Sequence, residues 1–493
     1  MADLHPRDWR LAPLIAAIPV ENREGGAAFA EHGTGPANRS RTGTRERLAR
    51  RMFEFGKGLR RIFAPEARGE ADDLSWTELV MPELLAREAR GQCTDAGRVS
   101  AARPFEAWLR GSALWREHAR RTGADDSLGR ARDAARSAAR AARTPDQTVR
   151  AAVEAGLVEI LRFDLVGGVA ELEAAVRAAP DVQTRRNTGL SAATLAAVAA
   201  LDARLRSRQA RLDGKPDALR RAAVALDEAV AAAEVAGDPE LDPLRLERAA
   251  LALEAGVMRR DPSLLDQAGR ELRRLVSAAD PDRRPLSRAR ALCLCAAGLS
   301  ALAALAGDEA AHAQARILFD AAADQFTPDH SPIDWTAIQL ARAATPGAVS
   351  LAALLQAEAV SAGKDLTLGA LARDRRLEVE AAAAEVAGDA DRLDRMAAEV
   401  RRRLVARRLT ARPGGEARHE ADSAMLDRGD LDWAVDQIGL ARIEAAIGRL
   451  TAAAVTTDSA FALFEAAEIA RERGVPTLAE SAERLMPVRS VKA

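Results

Sequence analysis

The side chains able to do chemistry are few and scattered. Six histidines, His5, His32, His118, His312, His330 and His419, include none that stands two to five positions from another histidine or from a cysteine. Local ligand spacing for a metal site is therefore missing. The three cysteines, Cys93, Cys293 and Cys295, make no disulfide framework. Cys293 and Cys295 are two positions apart in a helical pattern, which puts them on different faces. The stretch FGKGLRR from Phe55 holds a Gly–Lys–Gly but lacks the preceding strand and the Ser or Thr of a nucleotide cradle. Neither G-x-G-x-x-G nor G-x-S-x-G occurs. Glu378 with Glu380, and Asp389 with Asp391, read as solvated helix faces and ends. The expectation is a chain with no catalytic residue, no cofactor and no metal, and one that is not an enzyme. Catalysis would need a site assembled from distant residues.

One segment is strongly charged. Between Arg39 and Arg61 stand nine basic residues, Arg39, Arg41, Arg45, Arg47, Arg50, Arg51, Lys57, Arg60 and Arg61, against Glu46 and Glu54. Leu48, Met52, Phe55, Leu59 and Ile62 or Phe63 recur at three- and four-residue steps there, which predicts a basic amphipathic helix. Such a helix has four uses. It can cap a repeat array, dock into a partner or onto the array itself, lie on an anionic membrane surface, or hold a phosphate backbone. Arg50, Arg51, Phe55 and Arg60 are its candidate contacts. The rest of the chain is close to neutral, since the formal charge over all 493 residues is −1.

The elements that would position such groups are helical throughout. Hydrophobic residues make up 48% and charged residues 29%, as in a folded, soluble chain, and Ala, Leu and Arg dominate segment after segment. No run of alternating β-branched residues appears. The reading is all-α. Residues 1–20 hold a short helix or arm, 21–44 a Gly/Asn/Ser/Thr-rich linker, and 45–65 the basic helix. Helical hairpins fill 75–240, and repeat-like units fill 241–490. No signal-peptide pattern is found, and ALCLCAAGLSALAALAG from Ala291 reads as a buried helix. With cysteines read as reduced, the expectation is a cytoplasmic protein.

The punctuation also repeats. AEVAGD closes an Ala-rich helix at Ala233 and again at Ala384, with glycine placed to cap it. Pro243, Pro285 and Pro332 open helices roughly forty to fifty residues apart, the interval of a two-helix unit in an α-solenoid. A single large globular helical domain gives the same coarse pattern.

Two stretches share a sharper signal. HSPIDWTAIQLARA from His330 and RGDLDWAVDQIGLARI from Arg428 both place Gln four positions after an Asp–Trp pair. The second resembles the expanded tetratricopeptide-type repeats of bacterial proteins, whose first helix commonly begins P-L-D-W-A. Trp433, Gln437, Leu440 and Ala441 match that helix, and Ala460, Phe464 and Ala467 match the small–aromatic–small spacing of the second. The family's usual Asn is absent at Ile438 and Gly439, and its Gly is Ala441 here. The first stretch matches at Pro332, Asp334, Trp335 and Gln339, then departs because Pro346 and Gly347 interrupt it. One unit earlier, Ala315, Phe319 and Ala322 keep second-helix spacing. The resemblance spans roughly Asp242 to Met486.

It implies stacked antiparallel hairpins in which small residues let backbones approach while Trp433 and Phe464 fill the groove between units. Asp432 and Asp334, each just before its Trp, are expected to cap helix starts. The functional expectation is a non-catalytic scaffold or adaptor that binds a protein or peptide along a concave face lined by first helices, with Arg342, Gln437 and Arg442 as candidate contacts. The alternatives are a ligand- or peptide-sensing regulator, or an adaptor that uses residues 39–63 on a membrane surface or nucleic acid.

Overall fold

The computed structural model describes residues 74–98, 100–180, 189–238, 240–306, 308–343, 351–410, 420–451 and 459–486. The arm, linker and basic helix expected over 1–65, with Arg50, Arg51, Phe55 and Arg60, lie outside these, as do Pro346 and Gly347. The described residues from Thr77 onward fall in one compact unit and 74–76 in another. The helices below all belong to the first.

After a 3₁₀ turn at Ser75–Leu79, eighteen α-helices follow among the described residues. They are α1 (Pro82–Ala96), α2 (Pro104–Thr122), α3 (Asp125–Ala141), α4 (Pro145–Val166), α5 (Val169–Ala178) and α6 (Ala192–Asp213). Next come α7 (Pro216–Ala236), α8 (Leu241–Arg259), α9 (Pro262–Ala278), α10 (Pro285–Ala306), α11 (Glu309–Ala323) and α12 (Pro332–Ala343). The last are α13 (Leu351–Ser361), α14 (Leu366–Val386), α15 (Ala390–Thr410), α16 (Glu420–Thr451), α17 (Ser459–Glu472) and α18 (Pro476–Leu485).

Local chemistry fixes the ends. Pro82, Pro104, Pro145, Pro216, Pro262, Pro285, Pro332 and Pro476 each open a helix, where the missing N–H would have had no helical acceptor. Side chains cap others: the Asp261 carboxylate accepts from the Ser263 and Leu264 amides, and Asp365 from Leu368. At the two AEVAGD sites Gly237 and Gly388 adopt φ of 66° and 68°, the left-handed geometry that ends a helix.

Each helix buries a stripe against its neighbours. In α9 the residues Leu265, Ala268, Leu272 and Leu275, three or four apart, are buried. Helices pack mainly with the next in sequence, α2 with α3, α6 with α7, α10 with α11. The apolar clusters follow suit: one joins α6, α7 and α8, the next α8, α9 and α10. This is the stacked-hairpin arrangement of an α-solenoid, with even-numbered helices first in each hairpin and odd-numbered helices second. Helix α10 is long and apolar enough by composition to cross a membrane. Its Leu286, Ala289, Cys293 and Ala296 instead line one core and its Ala291 and Cys295 another.

The stack also meets itself. α2 packs against α12, and α4 against α14. Five hairpins therefore bring the sixth back to the first, and the seventh to the second.

Candidate functional site: an ion-paired inner layer

First helices of neighbouring hairpins are tied by ion pairs at the repeat interval. Arg150 of α4 binds Glu106 of α2, 44 positions away, at 3.0 Å. Arg208 of α6 binds Asp164 of α4, again 44 away, at 2.7 Å. Arg204 and Arg211 of α6 reach Glu247 and Glu254 of α8, each 43 away, at 3.1 and 3.2 Å. Arg290 of α10 clasps Asp334 of α12, 44 away, through two bonds of 3.0 and 2.7 Å. The spacing has a direct cause. Equivalent positions in successive units lie side by side, so opposite charges one unit apart in sequence become neighbours in space.

This ladder closes where α12 returns to α2. Arg120 of α2 donates to the Asp334 carboxylate at 3.3 Å and to both oxygens of Glu117 at 2.7 Å. Arg121, fully buried, donates to Glu117 at 2.9 Å, to the Val80 carbonyl at 2.8 Å and to the Thr77 carbonyl. Ser331 adds a 2.6 Å bond to Asp334. Burial opposes charge on Asp334, but Arg290 and Arg120 outweigh it and hold the carboxyl well below the usual carboxylate range. Burial likewise opposes charge on Glu117, and Arg120 and Arg121 overcome it in the same way.

Both carboxylates therefore stay ionised near neutrality, each held by two guanidinium groups. Burial, with Arg121 adding to it, pushes His118 and His330 below the ordinary imidazole value, so both are neutral near pH 7. Burial pushes Cys293 and Cys295 up to about 12, which keeps them as thiols. Among the described residues no group of three His, Cys, Asp or Glu side chains is placed to hold a metal ion. The ion pairs link the first helices of successive hairpins.

A second cluster joins α14, α15 and α16. Asp436, with no exposed surface, accepts from Arg403 at 3.1 Å and Arg407 at 3.2 Å. Asp432 accepts from Arg373 and Arg407 at 2.8 and 3.1 Å.

The residues singled out in the sequence fall into place as follows. Arg442 of α16 donates to Asp374 of α14 at 2.8 Å and is mostly buried, so it is a rung between first helices. Arg342 donates to Asp320 of α11 at 2.7 Å. Gln437 is half-buried, and Gln339 is buried. Trp335 packs against the core that joins α10 to α14, and Trp433 bridges the last two cores. Leu440 lies against the α14–α16 core, while Ala441 and Ala467 are buried and Ala460 is half-buried.

Two structural roles are corrected. Phe464 fills no groove: it is 56% exposed, and Leu463 takes the core position at 1%, because α17 turns its aromatic edge outward. Asp432 caps nothing, whereas Asp334 does stand in the first turn of α12. α16 begins at Glu420, so Asp432 lies inside a helix, and Asp334 spends its carboxylate on Arg290, Arg120 and Ser331. Glu117, Arg120, Arg121 and Arg290 passed unnoticed in the sequence. For Arg290 the available signal was the opposite charge of Asp334 one repeat interval, 44 positions, away.

The large apolar side chains left exposed fall mostly on second helices. They include Val176 on α5, Val224 on α7, Ile317 on α11, Leu355 on α13, Val405 on α15, and Phe461 and Phe464 on α17.

The fold and its ladder define an all-α protein of stacked helical hairpins. Its sequence matches no protein-family model and no curated protein with which it was compared.

Proposed function

We propose that this chain is a non-catalytic scaffold or adaptor that recognises a protein or peptide on its helical-repeat surface. It works in the cytoplasm, and its units are degenerate relatives of the bacterial tetratricopeptide-type repeats. One observation carries the reading: the polar groups of the first helices are spent on one another. Arg290, Asp334, Arg120, Glu117 and Arg121 form one linked set of ion pairs, and Arg204 with Glu247 and Arg442 with Asp374 belong to others. A site for chemistry needs groups left unsatisfied until substrate arrives, whereas these carboxylates are each held by two arginines, Glu117 by Arg120 and Arg121 and Asp334 by Arg120 and Arg290. Exposed apolar side chains on the second helices supply what a partner would bury. Recognition is therefore placed on second helices in preference to a concave first-helix face.

Affinity capture tests it, run with the full chain and with a version lacking residues 1–70. Retention of the same protein by both supports the adaptor reading and assigns recognition to the hairpins. Enrichment of a lipid, nucleic acid or metabolite, with no protein retained, would sink it.

A further inference from the structure

The second helix of the last hairpin, α17, carries an exposed face of unusual composition. Phe461 is 77% exposed and Phe464 is 56% exposed, in a chain with only ten phenylalanines. Glu465, Glu468 and Glu472 are exposed beside them. At 3.6 residues per turn these five side chains fall within about 100° of arc on one face. The aromatic half lies toward the start of the helix and the acidic half toward its end. Glu468 shares Arg471 with Glu483 of α18, while Glu465 and Glu472 engage no cation among the described residues. The buried stripe of the same helix, Leu463, Ala466, Ala467 and Ala470, is committed to the core.

We propose that this face of α17 is a docking surface for a basic amphipathic helix of a partner protein. The partner would set apolar side chains on Phe461 and Phe464 and arginine or lysine on Glu465, Glu468 and Glu472. Charge selects this occupant over a second α17 laid face to face. A parallel α17 pair would stack glutamates on glutamates, and an antiparallel pair would lay each acidic end over the other's phenylalanines. Neither supplies an uncommitted cation, since Arg471 of α17 is already shared by Glu468 and Glu483. A basic helix satisfies both halves at once, apolar contact from one end and charge-assisted bonds from the other. The proposal deepens the scaffold reading and rests on it.

The test titrates the full chain into a fluorescein-labelled synthetic helix-forming peptide of 18 residues. The peptide carries two leucines one turn apart near one end and arginines at helical spacing along the rest of that face. Fluorescence anisotropy reports binding by wild type, F461S/F464S and E465K/E472K, with far-UV circular dichroism checking the fold of each. These side chains are exposed, so neither variant should unfold. Expected are saturable binding by wild type and at least tenfold weakening in both variants. The loss in E465K/E472K should shrink at high salt, whereas that in F461S/F464S should not. No binding by wild type, or equal binding by all three, overturns the proposal. A dimer seen by sedimentation with wild type and lost in F461S/F464S also overturns it, because the face would then serve self-association. A protein captured from lysate equally by all three overturns this surface yet leaves the scaffold reading standing.

Discussion

Arg120 on α2 donates to Asp334 on α12 across 214 positions of sequence. The same carboxylate is already clasped by Arg290, its neighbour one hairpin back. Asp334 thus joins two kinds of contact, the local one between successive units and the distant one between successive turns.

Replacing that carboxylate should be costly. Asp334→Asn keeps the volume but leaves Arg290 partly buried without its counter-charge and Arg120 with Glu117 alone, a loss of about 3–5 kcal/mol. Arg120→Met leaves the Arg290 pair intact and should cost less. Urea unfolding monitored by circular dichroism measures both, and equal effects would show that the distant contact matters as much as the local one.

Acid should unfold the protein in two stages. The folded values of Asp334 and Glu117 lie below their unfolded ones, so their stabilisation is complete above the unfolded carboxylate range, about pH 4. It disappears as pH falls through the folded values. His118 and His330 are also depressed when folded, so a smaller loss begins below about pH 6.5, where the unfolded imidazoles take up protons. Unfolding free energy measured from pH 8 to pH 3 should be flat above pH 7, shallow next, and steep below pH 4. A double variant, E117Q/D334N, should flatten only the steep limb.

Thiol labelling should separate the cysteines. Cys293 and Cys295 are buried and held as thiols to about pH 12, so iodoacetamide at pH 8 should leave both unmodified in the native protein. Cys93 is half-buried, with its thiol also pushed up by burial, and should label slowly. In denaturant all three should react. Mass spectrometry of the digested protein assigns each site.

Two glycines separate local strain from contact between turns. Gly237 has φ of 66° with open space around it, so Gly237→Ala should cost only the left-handed penalty, about 1–2 kcal/mol. Gly123 has φ of 65°, and a Cβ there would come within 2.7 Å of the Lys364 carbonyl oxygen, from the loop between α13 and α14. Gly123→Ala should add about 1–3 kcal/mol for overpacking. Thermal unfolding of the two variants side by side reads the difference.

Much of this fold is legible in the sequence because its signals are local. Proline at helix starts, glycine at φ of 66° and 68° in the two AEVAGD caps, and stripes such as Leu265, Ala268 and Leu272 all act within one or two turns. Phase and reach are harder. The one-residue rotation that buries Leu463 and exposes Phe464 depends on how α17 sits against α16 and α18. Asp432 reads as a cap because it precedes Trp433, yet α16 starts at Glu420, well before it in the chain. The Arg120–Asp334 contact lay further out of reach, since it depends on the summed rotation of five hairpins. Its local half, Arg290 with Asp334, follows from the repeat interval alone.

That return of α12 onto α2 has a consequence for how such a chain can change length. In an open stack, losing or gaining one hairpin leaves every other junction as it was, and new arrays arise by copying or deleting a unit. Here a deletion between α2 and α12 would bring the wrong helix over α2, and Arg120 would face a residue never matched to it. Every later hairpin would slip by one place against the layer beneath. The number of units inside a turn is fixed by the far contact, so indels are tolerated only beyond the closure or in multiples that restore it. Drift by substitution stays open to such a lineage, while growth by repetition is restricted.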